Sequence, residues 1–282
     1  MVCKAPQPGA TQAVDLFADI LCQVDGTRMS YEAVAQSARL VRSGGRIKLL
    51  AVTDTAGAGE YATASLAPAR AARALARAQL SIAEVDADCT VYLDERGPVV
   101  DVLLEHARQH RLLVLPAPSM PRAAHVLLGG AATRAVHVLP ASILLARRPP
   151  ASAVVTERVI VASDALEHST ELVRFALELA RRHGSSLMLL HAITGPSSHH
   201  PTRLARQLEL VTGALGDQAK VRIEAGHAHG LIVEAARAER ATLLVLSSRQ
   251  LGGLRALGSV SERVAHEAPC SVLVVRAEDL PH

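Results

Sequence analysis

The chain has almost no aromatic side chains: tryptophan is absent, and Phe, Tyr and Trp together make up 2% of its 282 residues. The hydrophobic fraction of 49% is therefore mainly aliphatic, which predicts a core of Leu, Val, Ile and Ala. Proteins that bind single-stranded nucleic acid stack bases on aromatic rings, and such rings are scarce here. The net charge of +3 is small, and like charges group no further than pairs such as Arg147-Arg148. We therefore expect neither nucleic acid nor a membrane surface as a partner.

Cysteine is also sparse, and the four residues, Cys3, Cys22, Cys89 and Cys270, form no CxxC pair. Cys22 and Cys270 lie in or beside apolar, strand-like runs, so we expect buried thiols in a reducing compartment; a redox pair is the alternative. No apolar run approaches the roughly 20 residues that a membrane-spanning helix needs. The first residues lack the apolar stretch of a signal peptide, and a cytoplasmic location is the expectation.

The sequence contains one unit twice. In each copy an apolar run ends at an aspartate, Asp25 or Asp164, and a segment of helical period, a glycine and a second apolar run follow. Further on, RAVHVLPASILLAR in the first copy matches RVAHEAPCSVLVVR in the second. Such repetition indicates duplicated structural units. The predicted organisation is a flexible tail over residues 1–18, a domain over 19–147, a linker over 148–157, a second domain over 158–276 and a tail over 277–282.

Each unit alternates short Val-, Leu- and Ile-rich runs with helical segments. In the second copy Leu172, Phe175, Ala176 and Leu179 recur at the spacing of one helix face, and Gly184 follows, where a left-handed residue ends a helix. Strands without polar alternation are typical of parallel sheets that are covered on both faces. The pattern predicts two α/β domains with helices on both faces of their sheets.

With both copies aligned, the chain resembles a tandem member of the universal stress protein family. The resemblance runs from about Ile20 to Arg276 and is carried by VDGTRMSYEAV, SDALEHSTELV, LLHA, RGPVVDVLLEHA and, most specifically, GSVSERVAHEAPCSVLVV. It implies two flavodoxin-like (adenine nucleotide alpha hydrolase-like) domains, each with an open sheet of five parallel strands. It also implies that ILLA and VLVV pair, so that the two domains pack as an intramolecular pseudo-dimer.

The resemblance further implies a ligand site at the carboxyl ends of the strands. In members that bind ATP, the acid after the first strand and the main chain after the second strand hold the adenosine end. Here these positions are Asp25 and Val52 in the first domain, and Asp164 and Ala192 in the second. A strand-end Asp is also a common turn former or helix cap, so that interpretation stays open.

A loop with the family spacing G-x2-G-x9-G-[ST] would wrap the phosphates, because glycine allows the main chain to approach an anion closely. In the first domain Pro116, Ser119 and Gly129 keep the spacing and Gly130 follows, but proline and serine replace two glycines, and proline removes one N–H donor.

In the second domain the corresponding positions are Ser247, Gln250, Gly258 and Ser259, and the loop is two residues shorter than the family spacing. Ser259 and Glu262 also have the spacing of a helix capping box, which is the structural alternative for this serine. Each domain thus keeps a different part of a phosphate site, and nucleotide loops in both are degenerate.

Other chemistry finds little support in the sequence. His199, His200, His227 and His229 lack further ligands at metal-binding spacing, so solvated loop histidines are the interpretation and no metal is expected. No Walker loop, dinucleotide fingerprint or GxSxG elbow is present.

The expected function is that of a non-catalytic, cytoplasmic stress-response regulator that acts by binding a small molecule or a protein partner. The alternative is a protein that binds ATP or another adenine nucleotide, with at most slow hydrolysis. No cofactor is certain under either hypothesis. Assembly beyond the pseudo-dimer, including a homodimer of chains, stays open.

Overall fold

The computed structural model describes residues 15–53, 68–94, 99–117, 141–149, 153–195, 200–216, 219–248 and 260–280. Within these ranges the strands are β1 (Asp19–Gln23), β2 (Gly45–Val52), β3 (Ala87–Asp94), β4 (Leu112–Pro116), β5 (Ser142–Ala146), β6 (Arg158–Ser163), β7 (Ser186–Ile193), β8 (Ala219–Ala225), β9 (Leu243–Ser248) and β10 (Ser271–Arg276). The α-helices are α1 (Arg28–Leu40), α2 (Pro68–Leu80), α3 (Val99–Ala107), α4 (Glu167–His183), α5 (Pro201–Leu215), α6 (Ala228–Ala238) and α7 (Val260–Glu267).

The strands form one sheet of ten, in the order β3-β2-β1-β4-β5-β10-β9-β6-β7-β8. All neighbours are parallel except β5 and β10, which pair antiparallel with Leu144 opposite Leu273. Each half is therefore a five-stranded parallel sheet with the strand order 3-2-1-4-5, and the duplicated α/β architecture is confirmed. The predicted pairing of ILLA with VLVV is confirmed as well, and it makes the sheet continuous across the two halves.

Apolar side chains cover both faces of this sheet. One buried cluster contains Phe17, Ile20 and Leu144 of the first half together with Phe175 and Leu273 of the second. A second buried cluster also draws on both halves. Because each cluster spans the β5–β10 junction, the two halves share their cores.

Phenylalanine occurs twice in the chain, and its two residues meet at this junction. Phe17 precedes β1 and Phe175 lies on α4, and their rings stack with centroids 5.8 Å apart. A stacked aromatic pair contributes about 0.5–1.5 kcal/mol beyond its buried area. The few large rings of this protein thus help to join its halves.

Helix α4 shows why the local sequence folds as it does. Leu172, Phe175, Ala176 and Leu179 are all buried, as their spacing predicts. Gly184 ends the helix with φ 65°, a left-handed conformation that side chains with a Cβ rarely adopt. Both expectations from the sequence are confirmed.

A buried hydrogen-bond network around Arg147 also stabilises the junction of the two halves. The fully buried Arg147, just after β5, donates through Nη1 to the Cys270 carbonyl at 3.3 Å and through Nη2 to the Ala265 carbonyl. Its own carbonyl accepts from Gln36 Nε2 at 2.7 Å, and its N–H donates to Ser271 Oγ at 3.0 Å. Burial lowers the pKa of Arg147 to about 10, which still leaves it charged at neutral pH.

The opposite side of the junction repeats part of this hydrogen-bond network. Arg276, at the position equivalent to Arg147, donates its N–H to Ser142 Oγ at 3.0 Å, as Arg147 does to Ser271. Ser142 in turn donates to Asp279 Oδ2 at 2.7 Å. The pairing therefore has an approximate two-fold arrangement of main-chain and serine contacts.

The predicted tails are corrected at their inner ends. Residues Leu16–Ala18 form a 3₁₀-helix, in which Leu16 and Phe17 are buried. Ala277–Asp279 form another, and Asp279 and Leu280 beside it are buried. These residues pack against the core because each short segment carries apolar side chains directly beside a central strand. Residues 1–14, 281 and 282 lie outside the described part of the chain.

Candidate ligand site at the strand tips

Each half has one point where the strand order reverses, between β1 and β4 and between β6 and β9. In open parallel sheets ligands bind beyond the carboxyl ends of the strands at such points. Asp25 follows β1 and Asp164 follows β6, so both predicted acids lie at a reversal point. The two halves therefore present equivalent candidate sites.

Asp25 uses one carboxylate oxygen to organise its turn. Oδ1 accepts from the Thr27 N–H at 2.9 Å and from Thr27 Oγ1 at 2.6 Å. Thr27 then caps α1, because its Oγ1 accepts from the Ser30 N–H at 3.3 Å. Both contacts of Asp25 go to Oδ1, and no described residue donates to Oδ2. The turn-forming role that the sequence left open is thus observed, with one oxygen to spare.

Asp164 also bonds its own turn through Oδ1, but a histidine lies beside its second oxygen. Oδ1 accepts from the Leu166 N–H at 3.0 Å and from the hydroxyl of Ser169 on α4, and Oδ2 lies 3.8 Å from His168 Nε2. The intervening Ala165 has φ 55°, so the turn holds a non-glycine residue in the left-handed region. The structure therefore uses this aspartate to fix the start of α4.

A buried polar network lies below Asp164. Ser163 Oγ donates to Gln207 Oε1 at 2.6 Å, and Gln207 Nε2 donates to Thr170 Oγ1 at 3.2 Å. His191 on β7 is fully buried, and its Nδ1 bonds the Ser163 carbonyl at 2.9 Å, so Nδ1 carries the hydrogen. Its Nε2 has no partner among the described residues. The hydrogen bond to Ser163 gives this buried histidine a structural role.

The first half has no such network at the matching positions. Val24 stands where the second half has Ser163, and Ala51 stands where it has His191. The predicted Val52 is buried at the end of β2, and the predicted Ala192 is partly buried on β7. Thr53 follows Val52, and its buried hydroxyl has no partner within the described ranges.

The phosphate-loop predictions fall mostly beyond what the structure describes. Pro116 ends β4 and Ser247 lies near the end of β9, so both stand at the expected strand tips. The remaining predicted residues, Ser119, Gly129, Gly130, Gln250, Gly258 and Ser259, lie outside the described residues. Their ligand-binding role stays a prediction.

The structure also assembles a group of side chains that the sequence did not single out. His106 on α3 is buried, and its Nε2 lies 3.0 Å from Asp94 Oδ2 at the end of β3. Its Nδ1 lies 3.2 Å from Lys48 Nζ on β2. Lys48 Nζ is also 4.9 Å from the ring centroid of Tyr92. We call these four residues the β3-edge cluster; no sequence motif marks them, since they come from three separate elements.

The cysteines of the described chain are poor nucleophiles. Burial raises the pKa of Cys22 to about 12, and it raises the pKa of Cys270 to about 12 as well. Burial also raises the pKa of the partly exposed Cys89. All three are free thiols, in agreement with the expectation of buried thiols for Cys22 and Cys270.

The described ranges contain neither a candidate metal site nor a membrane-spanning helix. No group of three or more His, Cys, Asp and Glu side chains is placed to hold a metal ion. Among the helices of the same ranges, none combines the length and the apolar character that crossing a bilayer requires.

The comparison with known proteins decides the family. The model of the universal stress protein family matches the chain twice, over residues 17–147 and 156–276. The chain belongs to the universal stress protein family. A universal stress protein of Thermus aquaticus is 31% identical to it over 140 residues, which cover 42% of this chain and 97% of that protein.

Solved universal stress proteins share the fold over most of the chain. One from Archaeoglobus fulgidus matches with a TM-score of 0.73 at 20% identity, over 93% of this chain and 99% of that one. A protein of Pseudomonas aeruginosa named for the same family matches with a TM-score of 0.67 at 16% identity, over 94% of this chain and 95% of the other. At these identities the likeness concerns the fold, and it extends to both halves.

Proposed function

We propose that this tandem universal stress protein is a non-catalytic, cytoplasmic stress-response regulator that binds a small ligand at the strand tips of its first domain. The proposal takes residues 19–147 and 158–276 as the two domains and 148–157 as the linker. In this proposal the first domain binds the ligand, and the second domain serves as its structural partner in the pseudo-dimer.

The different surroundings of Oδ2 in two equivalent aspartates carry the proposal. Asp164 accepts hydrogen bonds from Leu166 and Ser169 through Oδ1, and the imidazole of His168 lies beside its Oδ2, with Nε2 3.8 Å away. Asp25 places both of its hydrogen bonds on Oδ1 and is partly exposed, so Oδ2 can accept from a ligand. A carboxylate oxygen accepts hydrogen bonds, which favours a ligand with hydroxyl or amine donors.

An adenine nucleotide is the second candidate, and the same oxygen favours it. In dinucleotide-binding α/β folds an acid beyond a strand end hydrogen-bonds a ribose hydroxyl. The predicted loop residues Ser119, Gly129 and Gly130 would then face the phosphates, although Pro116 offers no N–H donor there. This set of residues fits a nucleotide that is held mainly through its ribose, with fewer hydrogen bonds to its phosphates.

A non-catalytic role is supported by the chemistry of the aspartates. Among the described residues, Asp25 bonds only Thr27 in the turn before α1, and Asp164 forms the equivalent turn before α4. The thiols of Cys22 and Cys270 are buried and protonated at neutral pH. Hydrolysis of a bound nucleotide would therefore be slow.

The test compares Asp25→Asn with the matched variant Asp164→Asn. Asparagine keeps an oxygen for the turn but can replace Oδ2 with an N–H donor, which opposes a ligand hydroxyl. Thermal unfolding is followed with ATP, ADP and AMP, and at a hundred times the dissociation constant a ligand adds about 2.7 kcal/mol to the free energy of unfolding. We expect stabilisation of the wild type and of Asp164→Asn, and none of Asp25→Asn.

The other outcomes are equally informative. Stabilisation that survives in Asp25→Asn but disappears in Asp164→Asn would move the site to the second domain and contradict the proposal. No shift of the wild type with any nucleotide at millimolar concentration would reject the nucleotide candidate. Mass spectrometry of small molecules released from the purified protein would then identify the ligand or show that none is carried.

A further inference from the structure

Lysine is rare in this protein, and one of its lysines lies against a histidine–aspartate pair. The chain has 30 Lys and Arg residues, of which only Lys4, Lys48 and Lys220 are lysines. Lys48 belongs to the β3-edge cluster, whereas Lys220 lies on β8 at the other end of the sheet. Lys4 is outside the described residues.

The β3-edge cluster is arranged in the order acid, imidazole, amine. Asp94 is buried and lies 3.0 Å from His106 Nε2, so its carboxylate holds the ring hydrogen on Nε2. The lone pair of Nδ1 is thereby directed at Lys48 Nζ, 3.2 Å away. A nucleophile within hydrogen-bond reach of a base, which a third group orients, is the general arrangement of an activated nucleophile.

The amine is at the open end of this arrangement. Lys48 is only partly buried, and the Tyr92 ring beside its Nζ is 44% exposed on β3, the outermost strand of the sheet. His106 and Asp94 are buried behind it. A reagent from solvent can therefore approach Nζ past the tyrosine while the base stays shielded from water.

We propose that Lys48 is a site of Nε-acylation by activated acyl groups, with His106 as the base and Asp94 as its positioning residue. The shared chemistry of the donors is an acyl carbon bonded to a good leaving group, as in an acyl phosphate or an acyl thioester. This inference is independent of ligand binding at Asp25.

The proposed step balances without a further reactant. The Lys48 ammonium first loses one proton to water, and the amine lone pair then attacks the acyl carbon. The new C–N bond forms as the C–O bond to phosphate or the C–S bond to the thiol breaks, and the leaving group takes the electron pair. The second proton passes from nitrogen to His106 Nδ1, and the departing phosphate or thiolate accepts it from there. The product is a neutral amide at Lys48.

Lys220 provides a control within the same molecule. Its side chain is 66% exposed, and its Nζ lies 2.7 Å from Glu239 Oε2, with no described imidazole beside it. It is thus more accessible than Lys48 but has no base. If exposure alone decided reactivity, Lys220 would be acylated first.

The experiment incubates the full chain separately with acetyl phosphate and with an acetyl thioester, and measures acetylation of Lys48 and Lys220 by mass spectrometry. We expect Lys48 to react about tenfold or more faster than Lys220, since a positioned base contributes about 10²-fold or more to such steps. In urea the two rates should become about equal, because the cluster is lost. Acetylation of Lys48 by only one of the two donors would identify that class of donor as the source. Acetylation by one donor or by both would support the proposal.

Variants show whether the His106–Asp94 pair, and not the general surroundings of Lys48, causes the faster acylation. His106→Gln and Asp94→Asn should lower the Lys48 rate about tenfold or more and leave the Lys220 rate unchanged in the same sample. Glu239→Gln, which frees Lys220 from its ion pair, should not make Lys220 the faster site. A native Lys48 rate equal to or below that of Lys220, or an unchanged Lys48 rate in folded His106→Gln, would overturn the proposal.

Discussion

The two halves of this protein share one backbone plan but place different chemistry on it. Where the second half has Ser163 and His191 in a buried polar network, the first has Val24 and Ala51. The outermost strands of the two halves also carry different polar groups.

At those edges the first half carries the β3-edge cluster, whereas the second half carries an ordinary ion-pair group. Arg222 stands in place of Tyr92 and donates to Glu224 at 2.7 Å and Glu234 at 3.1 Å. Hydrogen bonds to Glu234 and Glu224 raise its pKa. The topology was thus kept while polar groups were redistributed, so equivalent positions in the two halves cannot be assigned equivalent roles.

Substitution of the two arginines at the β5–β10 junction should cause the greatest loss of stability, at Arg147, and should distinguish the two halves. Arg147→Met removes a fully buried guanidinium from the carbonyls of Ala265 and Cys270 and should lower the free energy of unfolding by about 3 kcal/mol. Arg276→Met should cost about 1 kcal/mol, because its guanidinium bonds the exposed Glu278. Chemical denaturation measures both, with the exposed neighbour variant Arg148→Met as control. Equal losses for Arg147 and Arg276 would contradict this asymmetry.

The next prediction compares the stability lost from the polar network of the second half with that lost at a buried hydroxyl of the first half. Gln207→Leu leaves Ser163 Oγ and Thr170 Oγ1 without their amide partner and should cost about 2 kcal/mol. In the first half Thr53→Val removes a buried hydroxyl that has no described partner, so it should be neutral or stabilise by up to about 1 kcal/mol. Denaturation curves for the two variants should therefore shift in different directions or by clearly different amounts. A large loss for Thr53→Val would show that its hydroxyl is bonded in solution.

The smallest effect is a pH dependence at the contact between the halves. Burial lowers the pKa of His183 on α4, and the charges of Arg182 and of Arg39 on α1 lower it further. The folded state thus binds fewer protons than the unfolded state, and stability should decrease as the pH falls below about 6.5, the ordinary histidine value. His183→Gln should flatten this part of the stability curve, and Arg39→Gln should reduce the slope. A slope unchanged in His183→Gln would assign it to other groups.

The fold was largely predictable because it depends on repeated local patterns. The spacing of Leu172, Phe175 and Leu179 and the position of Gly184 specify α4, and the apolar runs specify buried parallel strands. The pairing of β5 with β10 came from the family resemblance. The inner ends of the tails were predicted wrongly, because two or three apolar residues have no period by which to recognise packing.

The side chains of the candidate site were less predictable. The sequence placed Asp25 and Asp164 correctly at the strand ends, but it could not show that an imidazole lies beside Oδ2 of Asp164, whereas no described residue bonds Oδ2 of Asp25. Lys48 and Asp94 lie 58 and 12 positions from His106 along the chain, and only the alignment of β2, β3 and α3 brings them together. Contacts that depend on rotamers across three elements leave no spacing signature.

The covalent connection from β5 to β6 has an evolutionary consequence. When two separate copies of one subunit pair through their last strands, every substitution occurs on both sides of the axis at once. Here the paired strands β5 and β10 belong to one polypeptide. Each side can therefore accumulate changes singly, and a gain in one half does not impose the same change, or its cost, on the other.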